Sequence, residues 1–60
     1  MQKSILLKDD KLREFCKEIN IDCNNTSAIL IKINKNKAEY YNFDDDCFYK
    51  LDLDIAKKYV

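Results

Sequence analysis

Between Ser27 and Leu51 the chain reads SAILIKI, NKN, KAEYYNF, DDD and CFYKL, and its side chains change character with a period of two. Ile29, Ile31 and Ile33 alternate with Leu30 and Lys32, while Tyr41 and Phe43 share one parity and Tyr40 and Asn42 the other. β-branched and aromatic residues in this alternation suit a half-buried pleated surface, and the polar runs between them suit turns. The pattern predicts a three-stranded antiparallel meander. Upstream, Leu12, Phe15, Cys16 and Ile19 recur at helical spacing, with Lys11, Arg13, Glu14, Lys17 and Glu18 on the other side. That is an amphipathic helix whose apolar stripe covers one face of the sheet. Asp9 or Asp10 is the expected cap, its carboxylate accepting from free N–H groups of the first turn, and Glu14 adds favourable charge near that end.

The remaining segments are shorter. Gln2 to Leu7 turns apolar at Ile5-Leu6-Leu7 and reads as an N-terminal strand at the sheet edge. Asn20 to Ser27 is a loop, with Ile21 tucked under the helix end. After Leu51, a short C-terminal helix carries Leu53, Ala56, Tyr59 and Val60, capped by Asp52 or Asp54, with Lys57 and Lys58 near its carboxyl end. The fold class is α+β, in one domain spanning residues 1–60.

Register decides which residues face the helix, because a slip of one exchanges the two faces. A two-residue loop at Lys35-Asn36 sets Lys32 opposite Glu39, a favourable cross-strand pair. A three-residue loop from Asn34 to Asn36 instead puts Tyr41 and Phe43 on the isoleucine face. Two buried aromatic rings outweigh one surface ion pair, so the three-residue loop is expected. A second three-residue connection, Asp44-Asp45-Asp46, then brings Cys47 opposite Phe43 and Tyr49 opposite Tyr41. The expected inner face is Ile29, Ile31, Ile33, Tyr41, Phe43, Cys47, Tyr49 and Leu51. The expected outer face keeps Leu30, Tyr40 and Phe48, interrupted by Lys32, Asn42 and Lys50.

Composition narrows the setting. With 60 residues the chain is near the lower limit for a single core, yet 47% hydrophobic and 37% charged residues mark a folded domain and not a disordered tail. Three cysteines, Cys16, Cys23 and Cys47, are an odd number and no secretory leader precedes them, which points to a reduced, cytoplasmic location. No run approaches a membrane span. Eleven basic and 11 acidic residues leave the net charge at zero, which argues against a general nucleic-acid binder and against an acidic DNA mimic. Glycine and proline are absent, so Asn, Asp, Ser and Thr must make every turn.

Candidate chemistry is sparse. There is no histidine, and no two cysteines form a C-x-x-C pair, so neither acid–base catalysis nor a zinc site has its usual residues. Cys16 and Cys47 fall on expected apolar positions and read as buried thiols; Cys23, in a polar loop, is the one cysteine whose exposure the sequence leaves open. The aspartates at 44 to 46, with Asp52 and Asp54 a strand away, lack the alternating ligands and glycine of a calcium loop, and read as a solvated turn followed by a helix cap. No metal and no cofactor is expected. Lys32, Lys35, Lys37 and Lys50 gather toward one end of the sheet, beside Tyr40 and Phe48, an arrangement that can stack and neutralise a single-stranded nucleic acid.

The function expected from these residues is non-enzymatic protein binding. The surface is the outer row Leu30, Tyr40 and Phe48 with Lys32 and Lys50, provided the terminal helix does not fold back over it. Small size without visible catalytic groups fits an inhibitor from a phage or mobile element that binds a host protein stoichiometrically. Single-strand nucleic-acid binding and an oligomer that sequesters a small molecule are the alternatives. An unpaired strand edge would let the partner be a second copy, giving a homodimer. No membrane partner is expected.

Overall fold

A computed structural model describes residues 2–60. The chain is α+β, with the expected N-terminal strand joined to the meander. Strands β1 (Gln2–Leu7), β2 (Ile29–Asn34), β3 (Lys37–Asn42) and β4 (Cys47–Leu51) form one antiparallel sheet in the order β1-β2-β3-β4. Helix α1 (Asp9–Glu18) follows β1, and helix α2 (Leu53–Lys57) follows β4. A 3-10 turn at Cys23–Asn25 interrupts the long loop before β2.

Helix α1 buries Leu12, Phe15 and Cys16, with Ile19 and Ile21 packed at the margin, as its apolar spacing requires. Its ends are built differently from one another. At the start, no side chain caps the helix: Lys8 holds the cap position with extended backbone, and Asp9 enters at a φ of 57°. Neither Asp9 nor Asp10 is therefore the hydrogen-bonding cap expected, although both place negative charge in the first turn. At the other end, Asn20 adopts a φ of 59°, its N–H donates to the Lys17 carbonyl, and the Ile21 N–H donates to the Cys16 carbonyl at 2.9 Å. This paired closure is a Schellman motif, with asparagine in the place glycine usually fills. It turns Ile21 back onto the core.

Both strand connections differ from the expected lengths. Asn34 pairs with Lys37, so the β2–β3 loop has two residues, Lys35 and Asn36; Asn42 pairs with Cys47, so the next loop has four, Phe43 to Asp46. Lys35 supplies the positive φ (59°) that such a tight hairpin requires. The first difference turns β3 over: Tyr40 and Asn42 face the helices, and Tyr41 faces away. The second restores the parity of β4, whose Cys47, Tyr49 and Leu51 pair with Asn42, Tyr40 and Ala38.

The physical reason lies in the rings. Choosing Tyr40 for the interior still buries one aromatic side chain, edge-on to Phe15 at 5.4 Å and stacked on Tyr49 at 5.1 Å. Tyr41 and Phe43 do not become isolated on the other side, because Tyr41 packs against Phe43 and Phe48 with centroids 4.8 and 4.9 Å apart. The two-residue loop also aligns Lys32, Glu39 and Lys50 across three strands.

Helix α2 lies on the same side of the sheet as α1. Its Ala56 is fully buried with Phe15, Ile31 and Tyr40, and Tyr59 meets Phe15 edge-on at 5.5 Å. Asp52 caps it, its carboxylate accepting from the Asp54 N–H at 2.8 Å, and Lys58 pairs with Glu18 at the end of α1. The core is thus Leu7, Leu12, Phe15, Cys16, Ile29, Ile31, Tyr40 and Ala56. Cys47, expected in that core, is exposed, and Cys23 is half-buried against it. The cause is position: β4 is an edge strand and α2 lies over β2 and β3, while Cys23, in the 3-10 turn, packs against the core.

Candidate functional site

With both helices on one side, the other face of the sheet is open. Alternation aims Leu6 from β1, Leu30 from β2, Tyr41 from β3 and Phe48 from β4 at this face, and the pairing places all four in one line across the sheet. Leu6 is 45% exposed and Phe48 52%, and Phe43, at 49%, extends the patch from the adjoining turn. One step along the strands lies a polar line, Ser4, Lys32, Glu39 and Lys50. Lys32 joins the two lines, its Nζ 5.0 Å from the centre of the Phe48 ring, a cation–π distance.

Of the residues expected on this face, Leu30, Lys32, Phe48 and Lys50 are there. Tyr40 is not: it is 8% exposed and belongs to the core, and Tyr41 takes its place in the row. Asn42, also expected outside, is buried at 7% exposure and accepts the Asp44 N–H at 2.9 Å through its Oδ1. Sequence reasoning missed Leu6, Tyr41 and Phe43 as surface residues. The Lys32–Glu39 pairing was the signal that could have found Tyr41, since that register fixes the parity of all of β3.

Lys32, Lys35, Lys37 and Lys50 do come together, lining an open groove of about 990 Å³ around the β2–β3 hairpin, with Glu39 among them. The opposite end of the sheet is acidic. There the three aspartates of the β3–β4 turn take three different partners. Asp44 accepts from the Ser27 N–H at 2.6 Å and from its hydroxyl at 3.2 Å, Asp45 from the Tyr49 hydroxyl at 2.7 Å, and Asp46 from the Tyr41 hydroxyl. These hydrogen bonds to carboxylates hold both phenols protonated: Tyr41 is shifted up, and Tyr49 is pushed up to about 12. Spread in this way, the carboxylates serve the turn. Among the described residues, no three His, Cys, Asp or Glu side chains converge as a metal set.

The β2–β3 hairpin therefore gathers lysines at one end of the sheet and the β3–β4 turn gathers aspartates at the other, with the apolar row toward the β3–β4 turn. No helix among the described residues is long and apolar enough to cross a membrane. No family model, no curated protein and no solved structure matches this chain.

Proposed function

We propose that this chain is a non-enzymatic binding module that takes a protein partner on the open face of its sheet. The observation that carries the reading is the registered row Leu6, Leu30, Tyr41 and Phe48, left uncovered by either helix. Aromatic residues grouped on an exposed apolar patch are the usual anchors of protein interfaces. The lysines and Glu39 beside the row supply a polar rim. The narrower form of the reading is an inhibitor of phage or mobile-element origin that occupies a host protein one to one.

The test is a pair of variants. Leu6→Ser with Phe48→Ser alters half-exposed positions and should cost no more than about 1 kcal/mol of stability. It should abolish capture of the protein that the unaltered chain retains from host lysate, at a ratio of one to one. Tyr40→Ala, by contrast, should lose roughly 3–5 kcal/mol because it empties the core. If the double serine variant stays folded and retains the same partner, the open face is not the binding surface.

The lysine groove favours a second reading, single-stranded nucleic acid lying across Phe48 and Lys32 toward Lys35 and Lys37. Against it, Glu39 lies within the groove and the aromatic end of the face adjoins Asp46. Phosphate-driven binding weakens steeply with salt, so labelled oligonucleotides titrated at several salt concentrations separate the two readings. The β4 edge also offers unpaired backbone to a second copy, and solution mass across a dilution series reports whether that homodimer forms.

A further inference from the structure

We infer that a second copy of this chain covers the open face, related to the first by a two-fold axis that runs parallel to the strands between β2 and β3. The inference rests on the open face being a binding surface, and it names what occupies that face while no other protein is bound.

A two-fold axis in that position lays β1 over the partner's β4 and β2 over the partner's β3. Packed sheets keep their mean strand directions within about 30° of each other, the alignment this axis requires. Because the registered lines cross all four strands, each line falls on its own counterpart. In the apolar line Leu6 meets the partner's Phe48, and Leu30 meets the partner's Tyr41. Branched aliphatic side chains from one half of the face thus cover rings from the other half, and symmetry repeats each contact.

The charges match under the same operation. In the polar line Lys32 meets the partner's Glu39, again twice by symmetry, while Lys50 meets the neutral Ser4 at the rim. On the other side of the apolar line, Lys8 continues β1 with extended backbone and has the parity of Leu6. Asp46 is held at that side of the open face by the Tyr41 hydroxyl, so Lys8 and the partner's Asp46 also come together. The ion pairs among the described residues are Lys11–Glu14, Arg13–Asp10 and Lys58–Glu18, so within one copy none of these four charges is committed to another. The other two-fold axis in the plane, across the strands, sets Glu39 on the partner's Phe43 and buries a carboxylate against a ring. A net charge of zero lets two copies approach without overall repulsion.

Area decides how strong the pair is. Four strands about 4.8 Å apart, with residues spaced about 3.3 Å along them, make a face of roughly 350 Å². Two such faces stay below the ~1,200 Å² at the lower bound of a standard interface, so the dimer is weak and dissociates on dilution.

The experiment combines solution mass with NMR on the full chain. Mass should rise from one chain toward two between roughly 1 μM and 1 mM. At the upper concentration, labelled chain mixed with unlabelled chain should show an intermolecular NOE between the Leu6 methyls and the Phe48 ring. Within one copy these residues stand three strands apart, about 14 Å, too far for that effect. Lys32→Glu and Glu39→Lys should each weaken self-association roughly tenfold, yet the two variants mixed should pair, because both contacts then join unlike charges. Salt at about 0.15 M, which screens beyond roughly 8 Å, keeps the net charges of the variants from producing that result alone. A chain that stays monomeric at about 1 mM, or a dimer without the Leu6–Phe48 contact, as pairing through the β4 edge gives, overturns the inference. The serine variant described above separates this outcome from failure of the open-face reading. A monomeric chain that loses its lysate protein on Leu6→Ser with Phe48→Ser removes the second copy and leaves that reading standing. A dimer with the contact, dissolved by the serines while the lysate protein is retained, keeps the second copy and takes the other protein off this face.

Discussion

At the scale of single residues, the chain works without glycine, and four residues carry positive φ in its place: Asp9, Asn20, Lys35 and Asp46. Asparagine and aspartate tolerate that region through local hydrogen bonding, but lysine has no such help, so Lys35 holds the most costly of the four conformations. Lys35→Gly should raise unfolding stability by about 1 kcal/mol, the left-handed penalty relieved minus the added chain entropy of glycine. A urea titration with a higher midpoint and unchanged slope would show it. A lower midpoint would mean that the Lys35 side chain contributes more than its backbone costs. This residue also marks where the sequence was misleading. Asparagine tolerates the left-handed region better than lysine, which favours a three-residue loop ending at Asn36, and that loop exchanges Tyr40 for Tyr41. Parity in β3 rested on comparing two buried rings with one ion pair. Tyr41, Phe43 and Phe48 shelter one another on the open face, so leaving Tyr41 and Phe43 there costs less than exposing two isolated rings.

At the scale of elements, what was legible is what periodicity alone controls. The α1 stripe and the parity of β2 and β4 follow from side-chain spacing and stand as read, and of the two aspartates read as caps of α2, Asp52 is the one that caps it. Connections were harder because their lengths depend on partners distant in sequence. Asp44 shows why: its carboxylate holds the Ser27 N–H and hydroxyl, tying the β3–β4 turn to the loop before β2 across 17 positions. Nothing in the run DDD announces that bond. Asp44→Ala should cost about 1 kcal/mol, the net worth of a hydrogen bond whose groups are otherwise solvated. It should also speed hydrogen exchange at the Ser27 amide, while Asp44→Asn, which keeps an acceptor, should recover part of the protection. Unchanged exchange at Ser27 in the alanine variant would show that the turn is held by Asn42 and its neighbours alone. Leu30, Lys32, Phe48 and Lys50 were placed on the correct face because β2 and β4 kept their parity through two differences in loop length that cancel.

At the scale of the molecule, the tyrosines give the fold a common dependence on pH. All four have raised pKa values, for two reasons. Tyr40 and Tyr59 are raised first by burial, with Asp45 acting on Tyr40 and Glu18 and Glu14 on Tyr59; Tyr41 and Tyr49 are raised first by donating to Asp46 and Asp45. The sign follows from which state binds the proton more tightly. An unfolded tyrosine ionises near pH 10, whereas the folded Tyr49 holds its proton to about 12, so the folded chain binds more protons in that interval. Stability from these phenols is fully present below about pH 10 and is lost as the pH climbs toward the folded values. Lys58, raised by its hydrogen bond to Glu18 where α2 meets α1, loses its contribution in the same direction. Denaturation midpoints should therefore hold level through neutral pH and fall above about pH 10, with phenolate absorbance appearing together with loss of the sheet signal. Tyr49→Phe should leave the neutral midpoint nearly unchanged, since Tyr49 is 39% exposed and its bond to Asp45 is open to solvent. It should also soften the alkaline fall, because one proton fewer is then released on unfolding. Phenolate forming near pH 10 in a chain that stays folded would show instead that Asp45 and Asp46 do not hold these hydroxyls in solution, and that the acidic turn is looser than its hydrogen bonds imply.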